Sequence, residues 1–434
     1  MNNPLTYWIG RYKFYILTGL CTILLVGMTL LRSSGQTELE QAYSADSFVN
    51  SLGVTVHLRY KDTVYGKYGK IIKPRLQELG IKHIRDGFGV EDVDTQKKVI
   101  DLATLGIKST LVMDPRRQKN ASNPVQVAKI VSASVEAVEG PNEWDVQRNL
   151  TYEGQAFPVG LINFQSQLYA AIKSDPQTTH LDVLAPSMAH PQNAAKVGKV
   201  DCDFGNMHSY PGGGTPTRNL DEQWIPAARL ICEDKPIIAT ESGWHNAISD
   251  DTSQPGVSEQ ASGKYIPRLY LEYFNRGIKR AFIYELIDLS PEVNNNQHNF
   301  GLLHYDGSPK PAFNALKNLI SLLQDPGDSF SPQLLDYTLS GNTSNVHHTL
   351  LQKRDGRFCL ILWLEVSSYD FQKKAEIDVP EQLVTLTLNT PVSQANLYQP
   401  LQAITPLSQH LSPKQLQLNI PDYPLVIELI TAQS

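Results

Sequence analysis
Cysteine is scarce in this chain, with four in 434 residues, at positions 21, 202, 232 and 359. That is too few to frame so long a chain, so the fold must rest on an ordinary apolar core. Cys202 and Cys232 each precede an apolar strand pattern, and a bond between them is permitted without being required. Cys359, inside an apolar run, reads as a buried free thiol. Metal-ligand spacing is missing as well. His57, His190, His208 and His245 include no pair four residues apart around a glutamate, so neither a metal nor any other cofactor is expected. Basic charge is in deficit, 38 lysines and arginines against 44 aspartates and glutamates, a net −6. Such a balance argues against a nucleic-acid partner. Internal repeats and low-complexity tracts are absent too.

Long apolar runs are absent but for one. Arg11 and Lys13 precede residues 14–31, which carry no charge, and Arg32 closes the run. Its length is near the lower limit of about 17–25 residues for a transmembrane helix. Positive charge ahead of it favours a cytoplasmic N-terminus and an exported remainder. A cleaved signal peptide is the competing reading, but its apolar region usually spans about 7–15 residues before a small-residue site. The expectation is a cytoplasmic tip and transmembrane signal-anchor over 1–32, then a polar tether over 33–46. The remainder is thus membrane-anchored and extracytoplasmic, at the periplasm or cell surface, or secreted if the segment is cleaved.

From residue 47 a cadence repeats: apolar strand, polar exit, amphipathic helix, glycine stop. Strands are expected at 52–60, 81–87, 107–113, around 134–138, at 181–185, 203–208, 235–241 and 279–286. Helices are expected at 68–79, 91–105, 124–131, 159–173 and 260–276, with a last one opening at Pro309 and Pro311. Alternating strands and helices argue for a parallel sheet with helical cover, and eight strands close it into a (β/α)8 TIM barrel over 47–324. After residue 324 the composition changes to short alternating runs with turn residues between them, and Asp355-Gly356 is a strong hairpin signal. Residues 325–434 therefore read as a C-terminal antiparallel β-sandwich domain, with Trp363 in its core.

The chain is organised around Glu139-Gly140-Pro141-Asn142-Glu143-Trp144-Asp145. A β-rich run, a Gly-Pro break and then Asn-Glu set a carboxylic acid at the mouth of strand four, where a barrel gathers its chemistry. About a hundred residues later, room for three βα units of roughly thirty residues each, the design recurs. Pro236-Ile237-Ile238-Ala239-Thr240 leads to Glu241 at the end of strand seven, followed by Ser242-Gly243-Trp244. Two carboxyl groups on opposite sides of one bond are what glycosidic cleavage requires.

In order, spacing and strand context, Asn142-Glu143 and Thr240-Glu241-Ser242-Gly243-Trp244 resemble the signature of clan A of the retaining glycoside hydrolases, among its cellulase-family and family 39-like members. The likeness spans residues 53–319. It implies Glu241 as nucleophile and Glu143 as acid/base, acting on a β-linked polysaccharide or glycoside. It further implies Arg85, at the end of strand two, beside the nucleophile; Tyr210, in His208-Ser209-Tyr210 after strand six, near it; and Asn142 on the sugar 2-hydroxyl. Trp144, Trp244 and Tyr284 flank these groups and suit the apolar faces of sugar rings. His57 and His208 are assigned hydrogen-bonding roles, and Glu139 and Glu285 the orienting of neighbours or the binding of hydroxyls. Strand eight departs from the pattern, with Tyr284-Glu285 where many members place tryptophan. Two rivals use the same residues: a carbohydrate-binding cell-surface protein without catalysis, and a transglycosylase delivering a sugar hydroxyl in place of water.

Overall fold
The computed structural model describes residues 38–117, 122–250 and 254–432. Eight short parallel strands form a ring: Leu52–Thr55, His83–Asp86, Lys108–Val112, Val135–Glu139, Asp182–Leu184, Gly205–His208, Ile237–Ser242 and Arg280–Ile283. Each pairs with its neighbour in sequence and the first with the eighth, while a parallel bridge from Leu184 to Phe204 closes the ring between five and six. This is the expected closed barrel, and its strand ends gather the loops that carry the site. Inside it Ala137, Leu184, Ile238 and Phe282 make an apolar plug. Gly53 is small of necessity there, because a Cβ on it would stand 2.4 Å from the Phe282 ring.

A helix follows each strand: Lys73–Leu79, Val93–Ala103, Ser122–Ile130, Val159–Ser174, Ala194–Val197, Ile225–Cys232, Glu259–Asn275 and Pro311–Leu323. Their ends obey local chemistry. Asp92 caps the second by accepting from the Thr95 amide, Ser258 caps the seventh through the Ala261 amide, and Gly80, at φ 77°, ends the first. The first helix starts later than its periodicity suggests. Residues Tyr68–Ile72 form a wider turn, and the α-helix begins at Lys73 with Pro74, which has no N–H to give back to that turn. Ala194–Val197 is too short to carry a periodic signal.

The C-terminal region is a two-sheet sandwich, with Leu334–Gly341, Gln382–Leu388 and Gln415–Ile420 on one side. Ser408–Leu411, Val392–Tyr398, Leu425–Thr431, Phe358–Leu364 and Val346–Gln352 form the other. The tether expected over 33–46 is not a tether from Glu38 onward. Glu38–Gln41 pairs antiparallel with Leu334–Gly341, and Tyr43–Ser44 pairs parallel with Val346–Gln352, so the segment adds an edge to each sheet. Strands this short and polar have no pattern of their own; partners at the far end of the chain define them. The apolar run 14–31 lies outside the described residues. Among the described residues no helix is long and apolar enough to cross a membrane.

Sandwich and barrel share a core. In Phe358–Leu364, Leu360, Leu362 and Leu364 face the other sheet while Cys359, Ile361 and Trp363 pack with the barrel cluster. A strand buried on both faces reads as an unbroken apolar run. Trp363, expected inside the sandwich, thus faces the barrel, and its indole N–H donates to Glu272 Oε1 at 2.9 Å. Cys202 and Cys232 are disulfide-bonded, with Cα atoms 6.1 Å apart, and Cys359 is free and buried.

A buried cation ties the two domains. Arg268, on the seventh helix, donates to Glu365 Oε2 from Nε at 2.9 Å and from Nη2 at 2.6 Å, and to the carbonyls of Val366 and Asp422. Replacing it leaves the buried Glu365 side chain without a cation, the Thr217 hydroxyl at 3.0 Å being a neutral donor only. Arg268→Ala should therefore lower the unfolding free energy by about 3–5 kcal/mol, read from urea unfolding. A loss below about 1 kcal/mol, the size of a surface pair, would refute the interdomain role.

Candidate active site
The polar end of the barrel interior is built on strands two, four, six and seven. Arg85, on strand two, is buried and reaches three partners. It donates from Nε to Glu139 Oε2 at 2.6 Å and from Nη2 to Glu139 Oε1 at 2.8 Å. Nη1 donates to Glu241 Oε1 at 2.5 Å, and Nη2 also to Asn142 Oδ1 at 2.6 Å. A planar fork of donors suits this shared carboxylate geometry better than a point charge would. Burial works to raise the Glu139 pKa, but Arg85, helped by His208, outweighs it and holds the carboxyl down to about 2. Asn206 Nδ2 and Thr240 Oγ1 donate to Glu139 Oε1 as well, at 3.1 and 3.0 Å. Glu139 is thus the buried counter-ion that orients Arg85.

Glu241 faces the same interior by way of a backbone irregularity. Along strands six and seven Met207 pairs with Ala239, yet His208 pairs with Glu241, so one extra residue is accommodated at Thr240. A regular strand alternates its side chains between faces, whereas a bulge re-aims one. Thr240 and Glu241, adjacent in sequence, therefore both reach groups inside the ring: Thr240 meets Glu139 and Asn206, and Glu241 meets Arg85. The Tyr210 hydroxyl donates to Glu241 Oε2 at 2.6 Å. Burial, and after it Glu241, pushes the Tyr210 pKa well up, so the phenol stays a neutral donor.

Glu143 is placed differently from its expected position at the end of strand four. That strand stops at Glu139, and Glu143 stands beyond it in the left-handed region, φ 45°, opening a short turn over Trp144–Val146. Gly140 lets the intervening loop press on strand five, since a Cβ there would meet Pro186 N at 2.9 Å. The Glu143 amide donates to the Ser187 carbonyl at 3.2 Å, and Asp145 accepts from the amides of Ala189 and His190. So pinned, Glu143 points Oε1 at His208 Nδ1, 2.8 Å away. The same nitrogen is 3.5 Å from Glu241 Oε2. Burial opposes a charge on His208, but Glu241 first, then Glu139 and Glu143, push its pKa up to about 9. Glu143 is held below the usual carboxylate range, burial being outweighed by His208 and Arg85. The two act as one proton-holding pair.

Glu143, His208 and Glu241 each offer an oxygen or nitrogen within 4.8 Å of the others, the one such set among the described residues. As a metal site it is poorly matched. Both Glu241 oxygens already accept from Arg85 and Tyr210, and Arg85 would stand beside the incoming cation. As a pair of carboxylates facing one small gap the set suits bond cleavage. The gap opens into a cavity of about 650 Å³, ample for more than a monosaccharide by the usual size of ligand sites.

Of the residues singled out from the sequence, Glu143, Glu241, Asn142, Arg85, His57, His208, Tyr210 and Tyr284 line this cavity. Asn142 gives its oxygen to Arg85, leaving its NH2 group to donate. His57 Nε2 meets the Tyr284 hydroxyl at 3.2 Å, and its ring stacks on Tyr60. Three expectations are corrected. Trp144 and Trp244 are buried in the core, their indole N–H groups donating to the carbonyls of Leu150 and Gly214. The turn at Glu143 sends the next side chain inward, and an apolar ring gains more there than at a wet rim. Glu285 is fully buried behind His57, accepting from the Tyr65 hydroxyl at 3.0 Å and lying 3.4 Å from His57 Nε2, so of its two expected roles the binding of sugar hydroxyls is corrected and the orienting of neighbours stands. The aromatic walls come instead from Trp224, Tyr60 and Phe300, together with Arg59 and Arg117. Their nearness to strand exits was the available signal for Tyr60, Arg59 and Arg117; Trp224, which ends the wide helical turn Leu220–Trp224 ahead of the sixth helix, and Phe300, in a loop, carry no such mark.

No family model matches the chain, and no curated protein matches it. Solved structures do. A family 39 glycoside hydrolase from Bacteroides cellulosilyticus WH2 matches at 15% identity and a TM-score of 0.55, over 89% of this chain and 82% of that one. A glucosidase from Croceicoccus marinus matches at 12% identity and a TM-score of 0.58, over 91% and 97%. The catalytic domain of GH30 xylanase C from Talaromyces cellulolyticus matches at 12% identity and a TM-score of 0.51, over 91% and 98%. At these identities the likeness is one of fold.

Arg85 yields a test of the buried charges. Glu139, held down to about 2 against an ordinary 4.5, stabilises the fold above the ordinary value, and that contribution is lost as pH falls toward 2. In Arg85→Met the same carboxyl is buried without its cation and favours the protonated form. The stability deficit of Arg85→Met should therefore narrow as pH falls from about 7 to about 4, measured by urea unfolding. A deficit that stays constant across that range contradicts the assignment.

Proposed function
We propose that the protein is a retaining glycoside hydrolase that cleaves a β-glycosidic bond in a polysaccharide or glycoside. The observation that carries this reading is that Glu143 and Glu241 offer oxygens within 4.8 Å of each other across one cavity. Retaining enzymes hold their two carboxyl groups about 5–5.5 Å apart, and inverting ones farther. The glycoside hydrolases among the fold neighbours support the same class. Glu241, fixed by Arg85 and Tyr210, attacks the anomeric carbon as the bond to the leaving oxygen breaks. The Glu143–His208 pair supplies that oxygen with a proton through Glu143. Water then attacks the anomeric carbon, giving its proton to Glu143 and releasing Glu241. The NH2 group of Asn142 donates to a sugar hydroxyl, a bond that counts most where it tightens in the transition state.

Binding without turnover would need neither the second carboxylate nor the proton-holding histidine, which disfavours the scaffold reading. Transglycosylation shares every residue named and differs only in the acceptor, so product analysis separates it from hydrolysis. We place the catalytic part outside the cytoplasm, attached through residues 14–31 or released after their removal. The Cys202–Cys232 bond supports an oxidising compartment.

Glu241→Gln should remove turnover of every glycoside and prevent labelling by a mechanism-based fluoro-sugar; an adduct on any other residue would sink the assignment. Glu143→Ala should cost about 10²–10⁴-fold on poor leaving groups and far less on activated aryl glycosides. The pH profile gives a third check. A pKa raised to about 9 on His208 means the pair keeps its proton below that pH and loses it above. For poor leaving groups kcat/KM should hold to about pH 9 and then fall. In His208→Asn that alkaline limb should move to lower pH, and an unmoved limb counts against the pair.

A further inference from the structure
Two arginines of the cavity have no part in the chemistry above. Arg59 lies beyond the end of strand one and Arg117 in the turn after strand three, and both line the cavity that holds Glu143 and Glu241. Arg116, beside them, is already neutralised, donating to Asp114 from Nε at 2.7 Å and from Nη2 at 2.6 Å. Arg59 and Arg117 have no carboxylate within ion-pair distance among the described residues. The Arg59 guanidinium packs on the Tyr60 ring, 4.6 Å from its centroid, and reaches only the Tyr60 hydroxyl, at 3.4 Å. Arg117 lies against the backbone just past strand two, where a Cβ on Gly87 would stand 2.7 Å from its Nη1.

The nearby acid does not answer these charges. Asp86 is buried and turned to the backbone, accepting from the Leu58 amide at 2.9 Å and the Gly87 amide at 2.7 Å. Burial pushes its carboxyl up to about 7, against the pull of those amides and of Arg117 and Arg59. At neutral pH the acids near the two guanidinium groups are therefore Asp86, only partly ionised, and Asp114, which Arg116 already holds. The two guanidinium groups also oppose each other, for burial and then Arg59 lower the Arg117 pKa. His57 adds no charge. Burial, and against the pull of Glu241 the neighbouring Arg85, Arg59 and Arg117, hold it down to about 3.

A neutral sugar filling this cavity would strip water from both guanidinium groups and return no counter-charge, a costly exchange. An anionic group would answer both through charge-assisted hydrogen bonds, for which the guanidinium fork is suited. Resting on the reading of Glu143 and Glu241 as the cleaving carboxylates, we infer that the substrate is an acidic saccharide whose anionic group, a uronate carboxylate or a sulfate ester, is bound by Arg59 and Arg117.

The test compares the full-length protein on matched oligosaccharides: uronate-containing without sulfate, sulfated with the carboxyl reduced, and neutral. The acidic class should be favoured by roughly 10- to 100-fold in kcat/KM, the yield of charge-assisted bonds. Whichever acidic arm carries that preference names the anion. In the double variant Arg59→Gln, Arg117→Gln the ratio of acidic to neutral kcat/KM should fall toward one, and Arg59→Lys, Arg117→Lys should restore part of it. Equal turnover of acidic and neutral substrates by the wild type, or a ratio that survives the double Gln change, overturns the inference while leaving the hydrolase reading intact. If nothing is turned over, calorimetry of the same oligosaccharides with Glu241→Gln decides. Acidic binding weakened about 10-fold or more by the added double Gln change upholds the anion site while the hydrolase reading falls, and undiminished binding overturns the inference too.

Discussion
Arg85 sits where the barrel interior meets the cavity, a cation shared between the buried Glu139 and Glu241, which lines that cavity. Taking three charges out of water is costly, and the arrangement holds only because the guanidinium satisfies both carboxylates at once with directed hydrogen bonds. Much of the site follows from that constraint. Glu139 must stay ionised, and Arg85 holds it so. Glu241 is held in place by the same guanidinium and by the Tyr210 hydroxyl, and Asn142 is turned by that cation so that its amide donors are left for a ligand. His208, wedged among Glu139, Glu143 and Glu241, gains a proton from the negative charge that Arg85 alone does not balance.

The backbone serves this cluster at two irregular places. The bulge on strand seven lets Thr240 close the buried network while Glu241 opens to the cavity. The left-handed turn at Glu143 brings a second carboxylate back over His208 from a loop beyond strand four. Regular strands could deliver neither, because their side chains alternate with a fixed period of two. The sandwich contributes from the other side of the molecule. Its central strand and the Arg268–Glu365 link clamp the seventh helix, which runs between strands seven and eight and so supports the wall that carries Glu241.

Most of the barrel was legible from the chain. Apolar runs, glycine stops and proline starts follow local rules, so strands two, three, five, six and seven fall close to where the pattern puts them. Glu143 and Glu241 were legible for the same reason, each set behind an apolar strand at matching spacing. The rest of the site was less so. Trp144 and Trp244 stand beside these acids just as a sugar-binding platform would, yet both rings turn into the core. Glu285 shares a strand exit with Tyr284, and one faces the cavity while the other is sealed behind His57.

By itself the sequence determined which segments become strands and helices, how many strands close the ring, and which two carboxylates end up at its rim. Those properties depend on periodicity and spacing, which are local and survive in one dimension. Only the tertiary structure decided which way each rim side chain turns, that residues 38–44 join the sandwich, and that Arg59 and Arg117 line the cavity without an ion-pair partner among the described residues. These depend on desolvation and on partners remote in the chain, and neither quantity exists until the strands have closed around them.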